Sequence, residues 1–207
     1  MTIQAVLFDL DGVLVDACGW HYESLNMALM AVASIEISLS EHMSTFNGLP
    51  TTEKLRILKD QGRLQDIQFD KIWQLKQKNT VSVISDLAKV DKNKIYLHTM
   101  LNEMGIKVAC VTNSIRETAE LMLTNTGQID LMEFLITNED VKNNKPHSEP
   151  YIRAMIRLGI NPENILIVED SDKGMASAMG TGAHVLRVKD AEDVTWKKII
   201  DIISRIQ

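Results

Sequence analysis

Short apolar, β-rich runs that break off in polar residues recur along this chain, and they constrain its fold more than any other feature. "QAVLF" (4–8), "GIKVACVTN" (105–113) and "ENILIVED" (163–170) share the pattern, with weaker runs "FLIT" (134–137) and "AHVLRV" (183–188). Runs that are apolar at nearly every position suit strands covered on both faces, as in parallel sheets. Helix-period segments at 114–125, 148–158 and 193–206 alternate with them. The alternation predicts an α/β fold, a parallel sheet with helices on both faces.

Between Asp16 and about Asp86 the strand pattern stops, and helix-period segments follow one another at 20–33, 40–46, 51–61 and 66–86. This block reads as an inserted helical domain. Ser40 before Glu41, and Thr51 or Thr52 after the Gly48-Leu49-Pro50 turn, are the expected helix caps. Met27, Met30, Met43, Met100, Met104, Met122, Met132, Met155, Met175 and Met179 sit at mostly helix-compatible positions and are read as core fillers.

A chain of 207 residues with 45% hydrophobic and 24% charged residues can bury a core, and it fits one domain or a domain with an insertion. Its net charge of -6 argues against a nucleic-acid or anionic-membrane surface. Cys18 and Cys110 are far apart and in no metal-like spacing, which argues against a disulfide framework. No basic stretch followed by a long apolar one opens the sequence, and no later apolar run is long enough to span a bilayer. The expectation is a cytoplasmic protein, monomeric or weakly dimeric.

In an open parallel α/β sheet, ligands gather at the carboxyl ends of the strands. Asp9, Thr112 and Asp170 occupy such ends. Asp9 and Asp11 project to one side of an extended segment until Gly12 bends the chain. Two close carboxylates repel, and a hard divalent cation such as Mg²⁺ relieves the conflict with oxygen ligands, with "VED" (168–170) able to complete the set. Each feature also has a plainer reading: a solvated Asx turn for Asp9-Leu10-Asp11-Gly12, a β-branched strand residue for Thr112, a helix cap for Glu169-Asp170, a surface charge for Lys145. An EF-hand is excluded, because Gly12 is fourth in the loop where the sixth is required. A dinucleotide fingerprint in "GMASAMGTGAHV" lacks its third glycine.

The order "FDLDGVLVD", "VTNS", "NKPHSEPY", "VEDSDKGMASAMGTG" resembles the four motifs of the haloacid dehalogenase (HAD) superfamily, across nearly the whole chain. The resemblance implies a Rossmann-like catalytic core (1–15 and 87–207) and an α-helical cap (16–86), in the subgroup that includes small phosphatases and β-phosphoglucomutase. It implies Asp9 as nucleophile, Asp11 as acid/base, Thr112 with the backbone at Asn113 and Ser114 as phosphoryl-binding, and Lys145 as the compensating cation. Mg²⁺ would be held by Asp9, the Asp11 carbonyl and Asp170, with Glu169 a direct or outer ligand. Gly12 would permit the turn into the cap, and Gly174 close packing after the last motif.

The implied activity is Mg²⁺-dependent hydrolysis of a small phosphorylated metabolite, a sugar phosphate by preference, through an aspartyl phosphate. A phosphosugar mutase is the alternative; the cap position where the mutase carries a phosphate-binding arginine is Thr51, with Lys54 and Arg56 nearby as phosphate contacts or solvated helix charges. An inactive binding or regulatory relative is the third reading. His21 at the start of the cap is either a packing residue or a tuner of proton transfer. Val13 stands where many family phosphatases have Thr, Ser148 where a second Pro is common, and Asp172 where "EDSPxG" has Pro, adding a negative charge near the metal loop.

Overall fold

The structure is a computed structural model that describes residues 2–206. Two compact units are present: Met1–Asp16 with Lys89–Gln207, and Ala17–Ala88.

The first unit carries a five-stranded parallel sheet of β1 (Ala5–Phe8), β2 (Lys107–Val111), β3 (Leu135–Ile136), β4 (Ile165–Glu169) and β5 (His184–Arg187). Its order is β3-β2-β1-β4-β5. The chain runs outward from β1 through β2 to β3 and then crosses back to β4, so the carboxyl ends of β1 and β4 flank the point where strand order reverses. That crevice is where open α/β sheets place their ligands. β1 is buried at every position, as its apolar run demands.

Alternation sorts the side chains onto two faces. Ala5, Leu7, Ala109, Val111, Ile165 and Ile167 pack with Tyr151, Ala154 and Met155 of α7 (Glu149–Leu158) and Ala178 of α8 (Asp172–Met179). On the opposite face Phe8 meets His98 of α5 (Lys92–Glu103) edge-on, with ring centroids 5.4 Å apart. Helix α6 (Arg116–Asn125) follows β2, and α9 (Trp196–Ile206) closes the chain. The apolar pattern carries no sign of α5, whose apolar positions are interrupted by Lys94 and His98; both are buried through polar contacts, Lys94 Nζ donating to the carbonyls of Ala191 and Val194. β3 is only two residues long, and α9 starts at Trp196 instead of 193.

The second unit is helical: α1 (Cys18–Ala33), a short α2 (Leu39–Glu41) continued by a π-helical turn (His42–Phe46), α3 (Thr51–Asp60), and α4 (Phe69–Leu87) after a 3₁₀ turn (Asp66–Gln68). Leu25, Ala28 and Leu29, spaced to share one helix face, pack with Phe46, Leu55, Leu58 and Ile72. Asn26 clamps the chain beyond α1 by accepting from the Ile37 N–H and donating to its carbonyl, both at 2.9 Å.

Three local expectations are corrected. Ser38, not Ser40, caps α2, its hydroxyl accepting from the Glu41 N–H. Pro50, not a threonine, stands at the cap of α3, where its carbonyl receives the Glu53 N–H. Met122 and Met155 are core residues, but Met27, Met30, Met43, Met104 and Met179 are at least half exposed, on helix faces that periodicity alone cannot tell from buried ones. Among the described residues no helix is long and apolar enough to cross a membrane.

Candidate active site

Asp9 follows β1, Thr112 follows β2, and Glu169 ends β4 with Asp170 just beyond, so parallel register brings their side chains to one edge of the sheet. Ligand atoms of Asp9, Glu169 and Asp170 all lie within 4.8 Å of one another. Lys145 is buried among them: its Nζ donates to Asp9 Oδ1 at 2.7 Å, Glu169 Oε1 at 2.6 Å, the Val111 carbonyl at 2.8 Å and the Tyr151 hydroxyl at 3.0 Å. Burial alone would lower this lysine's pKa, but Asp9 and Glu169 overcome that and hold it above the ordinary range. The surface-charge reading of Lys145 is therefore wrong.

One lysine does not balance the carboxylates. Burial, then the charge of Glu169, pushes Asp9 well above the usual carboxylate range even with Lys145 in contact. The same two causes raise Asp170 to about 6. Glu169 Oε2 is buried and has no hydrogen-bond partner among the described residues. A set of carboxylate oxygens with excess negative charge and an unmet acceptor fits a hard divalent cation.

Asp11 leads the loop after β1. Gly12, with φ at 89°, turns the chain where a side chain would be strained and where a Cβ would collide with Asp170 Oδ2. The Gly12 N–H donates to the Val15 carbonyl at 2.7 Å and closes the turn. Asp11 Oδ2 accepts from Ser114 Oγ at 2.7 Å and from Thr112 Oγ1 in a long 3.5 Å contact. The Ser114 N–H donates to Thr112 Oγ1 at 3.0 Å. Asn113 uses its amide as a two-bond clamp on the Lys145 backbone, at 3.0 and 3.1 Å, and so fixes the loop that delivers the lysine.

Two contacts have no role assigned to them by the sequence motifs. The Ser114 hydroxyl holds Asp11, whereas the resemblance assigned only its backbone. Tyr151, the last residue of the "NKPHSEPY" motif and fully buried, donates to Glu169 Oε1 at 2.5 Å; the motif contains it but assigns it no role. The helix after β4 is capped by Ser171, which accepts from the Gly174 N–H, so Glu169 and Asp170 are left for the site. Gly174 is needed because a Cβ there would overlap the Glu169 carboxylate. Asp172 pairs with Arg187 at 2.7 Å with its side chain 89% exposed, so its added charge is solvated and matched.

His21, Thr51 and Lys54 belong to the helical unit. His21 Nδ1 lies 3.3 Å from Lys76 Nζ, a lysine that the sequence does not single out and that is buried. Lys54 is 5% exposed, which excludes a solvated helix charge; Arg56 is the exposed one, paired with Glu53 at 2.5 Å. Thr51 is the first residue of α3.

Comparison with known proteins agrees with this geometry. A family profile described as "Haloacid dehalogenase-like hydrolase" matches residues 6–188. The chain is 26% identical to pyrophosphatase PpaX of Oceanobacillus iheyensis, over 99% of this chain and 97% of that one. It is 25% identical to the phosphorylated carbohydrates phosphatase of Thermotoga maritima, over 87% and 82%. Its fold matches a crystal structure of β-phosphoglucomutase from Clostridium difficile with a TM-score of 0.84, at 23% identity over 99% of this chain and 98% of that one. Strand order, the four motifs and the profile match agree: the chain belongs to the haloacid dehalogenase-like hydrolase family.

Proposed function

We propose that the protein is a Mg²⁺-dependent phosphatase that hydrolyses a small phosphorylated metabolite, a sugar phosphate by preference, through an aspartyl phosphate on Asp9. The observation that carries this reading is the 2.7 Å contact from Lys145 Nζ to Asp9 Oδ1, beside Glu169 and Asp170 at the strand ends. It orients one Asp9 oxygen and leaves the other for attack. Kinship with named phosphatases, one of them acting on phosphorylated carbohydrates, supports the substrate class.

In the first step an Asp9 oxygen attacks phosphorus, the bond from phosphorus to the substrate's alcohol oxygen breaks, and Asp11 gives its proton to that oxygen. In the second, water attacks phosphorus, Asp11 takes the water's proton, and the acyl-phosphate bond breaks to return the Asp9 carboxylate and inorganic phosphate. Ser114 and Thr112 hold the Asp11 carboxyl for both transfers, and Lys145 offsets charge near Asp9. Asp9, the Asp11 carbonyl and Asp170 would hold Mg²⁺, with Glu169, whose Oε2 is the unmet acceptor, a direct or outer ligand. The ion supplies electrostatic stabilisation of the phosphoryl oxygens. Selectivity belongs to the helical unit, where His21, Thr51 and Lys54 are the candidate substrate contacts.

With Mg²⁺, purified protein is expected to hydrolyse p-nitrophenyl phosphate and to favour sugar phosphates in a phosphometabolite panel, and Asp9→Asn to abolish both. Unchanged turnover in Asp9→Asn removes the covalent route. Conversion of a hexose 1-phosphate to its 6-phosphate without phosphate release selects mutase chemistry instead.

A further inference from the structure

Gln128, in the turn after α6, is fully buried and lies outside every motif. Its Nε2 donates to the Leu14 carbonyl at 3.3 Å and to Thr126 Oγ1 at 2.8 Å, and its Oε1 lies 2.9 Å from His98 Nε2. A backbone carbonyl can only accept, so the group facing Leu14 is the amide NH₂. That fixes the amide's orientation and makes His98 Nε2 the donor to Oε1.

Leu14 belongs to the loop that carries Asp11. This loop is closed on itself: the Leu10 carbonyl receives the N–H groups of Val13, Leu14 and Val15, and the Val15 carbonyl receives that of Gly12. A loop so closed shifts as a unit. Side-chain hydrogen bonds reach it at both ends, from Ser114 on Asp11 and from Gln128 on Leu14. Behind Gln128, the His98 ring packs against Phe8, the residue before Asp9. The Asp91 N–H donates to the Thr126 carbonyl at 3.0 Å, tying the start of α5 to the same turn.

We propose that Gln128 is a positioning residue for Asp11, acting through the Leu14 carbonyl with His98 fixing its amide. The inference rests on the reading of Asp11 as the acid that protonates the leaving oxygen. Loss of the amide donor frees one end of the loop, and a small displacement of a proton donor costs rate without removing any group from the site.

The test exploits the leaving group. p-Nitrophenolate departs without a proton, whereas an alkoxide requires one, so kcat/KM for an alkyl phosphate reports the placement of Asp11 and kcat/KM for p-nitrophenyl phosphate does not. Gln128→Met is expected to lose about tenfold more kcat/KM on the alkyl phosphate than on p-nitrophenyl phosphate. Gln128→Leu, which also lacks a donor for the Leu14 carbonyl, gives the same discrimination should Gln128→Met fail to fold. Asp11→Asn is the reference and shows the larger discrimination. Equal losses on both substrates in folded Gln128 variants, or no loss, overturn the proposal as a purely structural role. Absence of discrimination in Asp11→Asn overturns the acid/base reading beneath it, a separate failure.

Discussion

The Tyr151 hydroxyl donates to Glu169 Oε1 at 2.5 Å while accepting from Lys145 Nζ at 3.0 Å. Burial, then the neighbouring charges of Glu169 and Asp9, pushes the phenol well above its ordinary pKa, so it stays a donor at any pH the protein meets. Tyr151→Phe keeps the ring in the core and removes only the hydroxyl. The expected cost is about 1–3 kcal/mol, because a buried carboxylate oxygen loses a donor. Urea unfolding measures it, and a change within error would mean that Lys145 alone satisfies Glu169.

Lys145 is the cation common to Asp9 and Glu169, and all three are buried. Lys145→Met leaves two carboxylates without that charge, and the expected destabilisation is about 3–5 kcal/mol, with phosphatase turnover lost. Lys145→Arg should not rescue it. Four acceptors converge on a single nitrogen, and a planar guanidinium cannot present its donors in that arrangement. Recovery of turnover above about a tenth of wild type in the arginine variant would contradict this geometry.

The sheet was legible because its strands are apolar at consecutive positions and end in distinctive polar residues, a signal that needs no tertiary information. Asp9, Thr112 and Asp170 could be placed at one edge from that pattern alone. Lys145 could not, since a lysine's burial is decided by carboxylates far away in sequence; only the motif order pointed to it. Gln128 and His98 matter through contacts made in three dimensions, and each looks in sequence like an ordinary helix or turn residue; Tyr151 stands in the third motif, which says nothing of its contact with Glu169. Helix α5 was missed for the same reason: Lys94 and His98 break its apolar period, yet both are buried because backbone carbonyls and Gln128 receive them. The caps at Ser38 and Pro50 differ from expectation because several residues near each helix start could serve equally.

Burial holds the His98 imidazole down at about 4, against an ordinary value of 6.5. The folded state therefore binds fewer protons than the unfolded state between those values, and stability falls as pH drops below 6.5. From pH 7 to pH 5 the expected loss attributable to His98 is about 2 kcal/mol. His42, buried in the helical unit and lowered to about 3 by burial and then by Lys54, adds in the same direction. Urea unfolding at the two pH values, for wild type and His98→Gln, isolates the first contribution. The variant should start less stable and lose about 2 kcal/mol less on acidification; an identical pH dependence would mean that folding leaves the His98 pKa at its ordinary value.

Glycine substitutions separate packing at the site from helix propensity. A Cβ on Gly174 would overlap the Glu169 carboxylate, which is fully buried and held by Lys145 and Tyr151, so it has nowhere to move. Gly174→Ala is expected to cost about 1–3 kcal/mol and to lower turnover, since any shift of Glu169 carries Lys145 away from Asp9. Gly19 lies in the first turn of α1 and is exposed, with nothing within 4 Å of the place a methyl group would take. Gly19→Ala should stabilise by about 0.5 kcal/mol through lower chain entropy in the unfolded state. Thermal unfolding of the two variants gives shifts of opposite sign if contact with Glu169 is what requires a glycine at position 174. Stabilisation of both variants would mean that the Glu169 carboxylate yields to a methyl group and that position 174 requires no glycine.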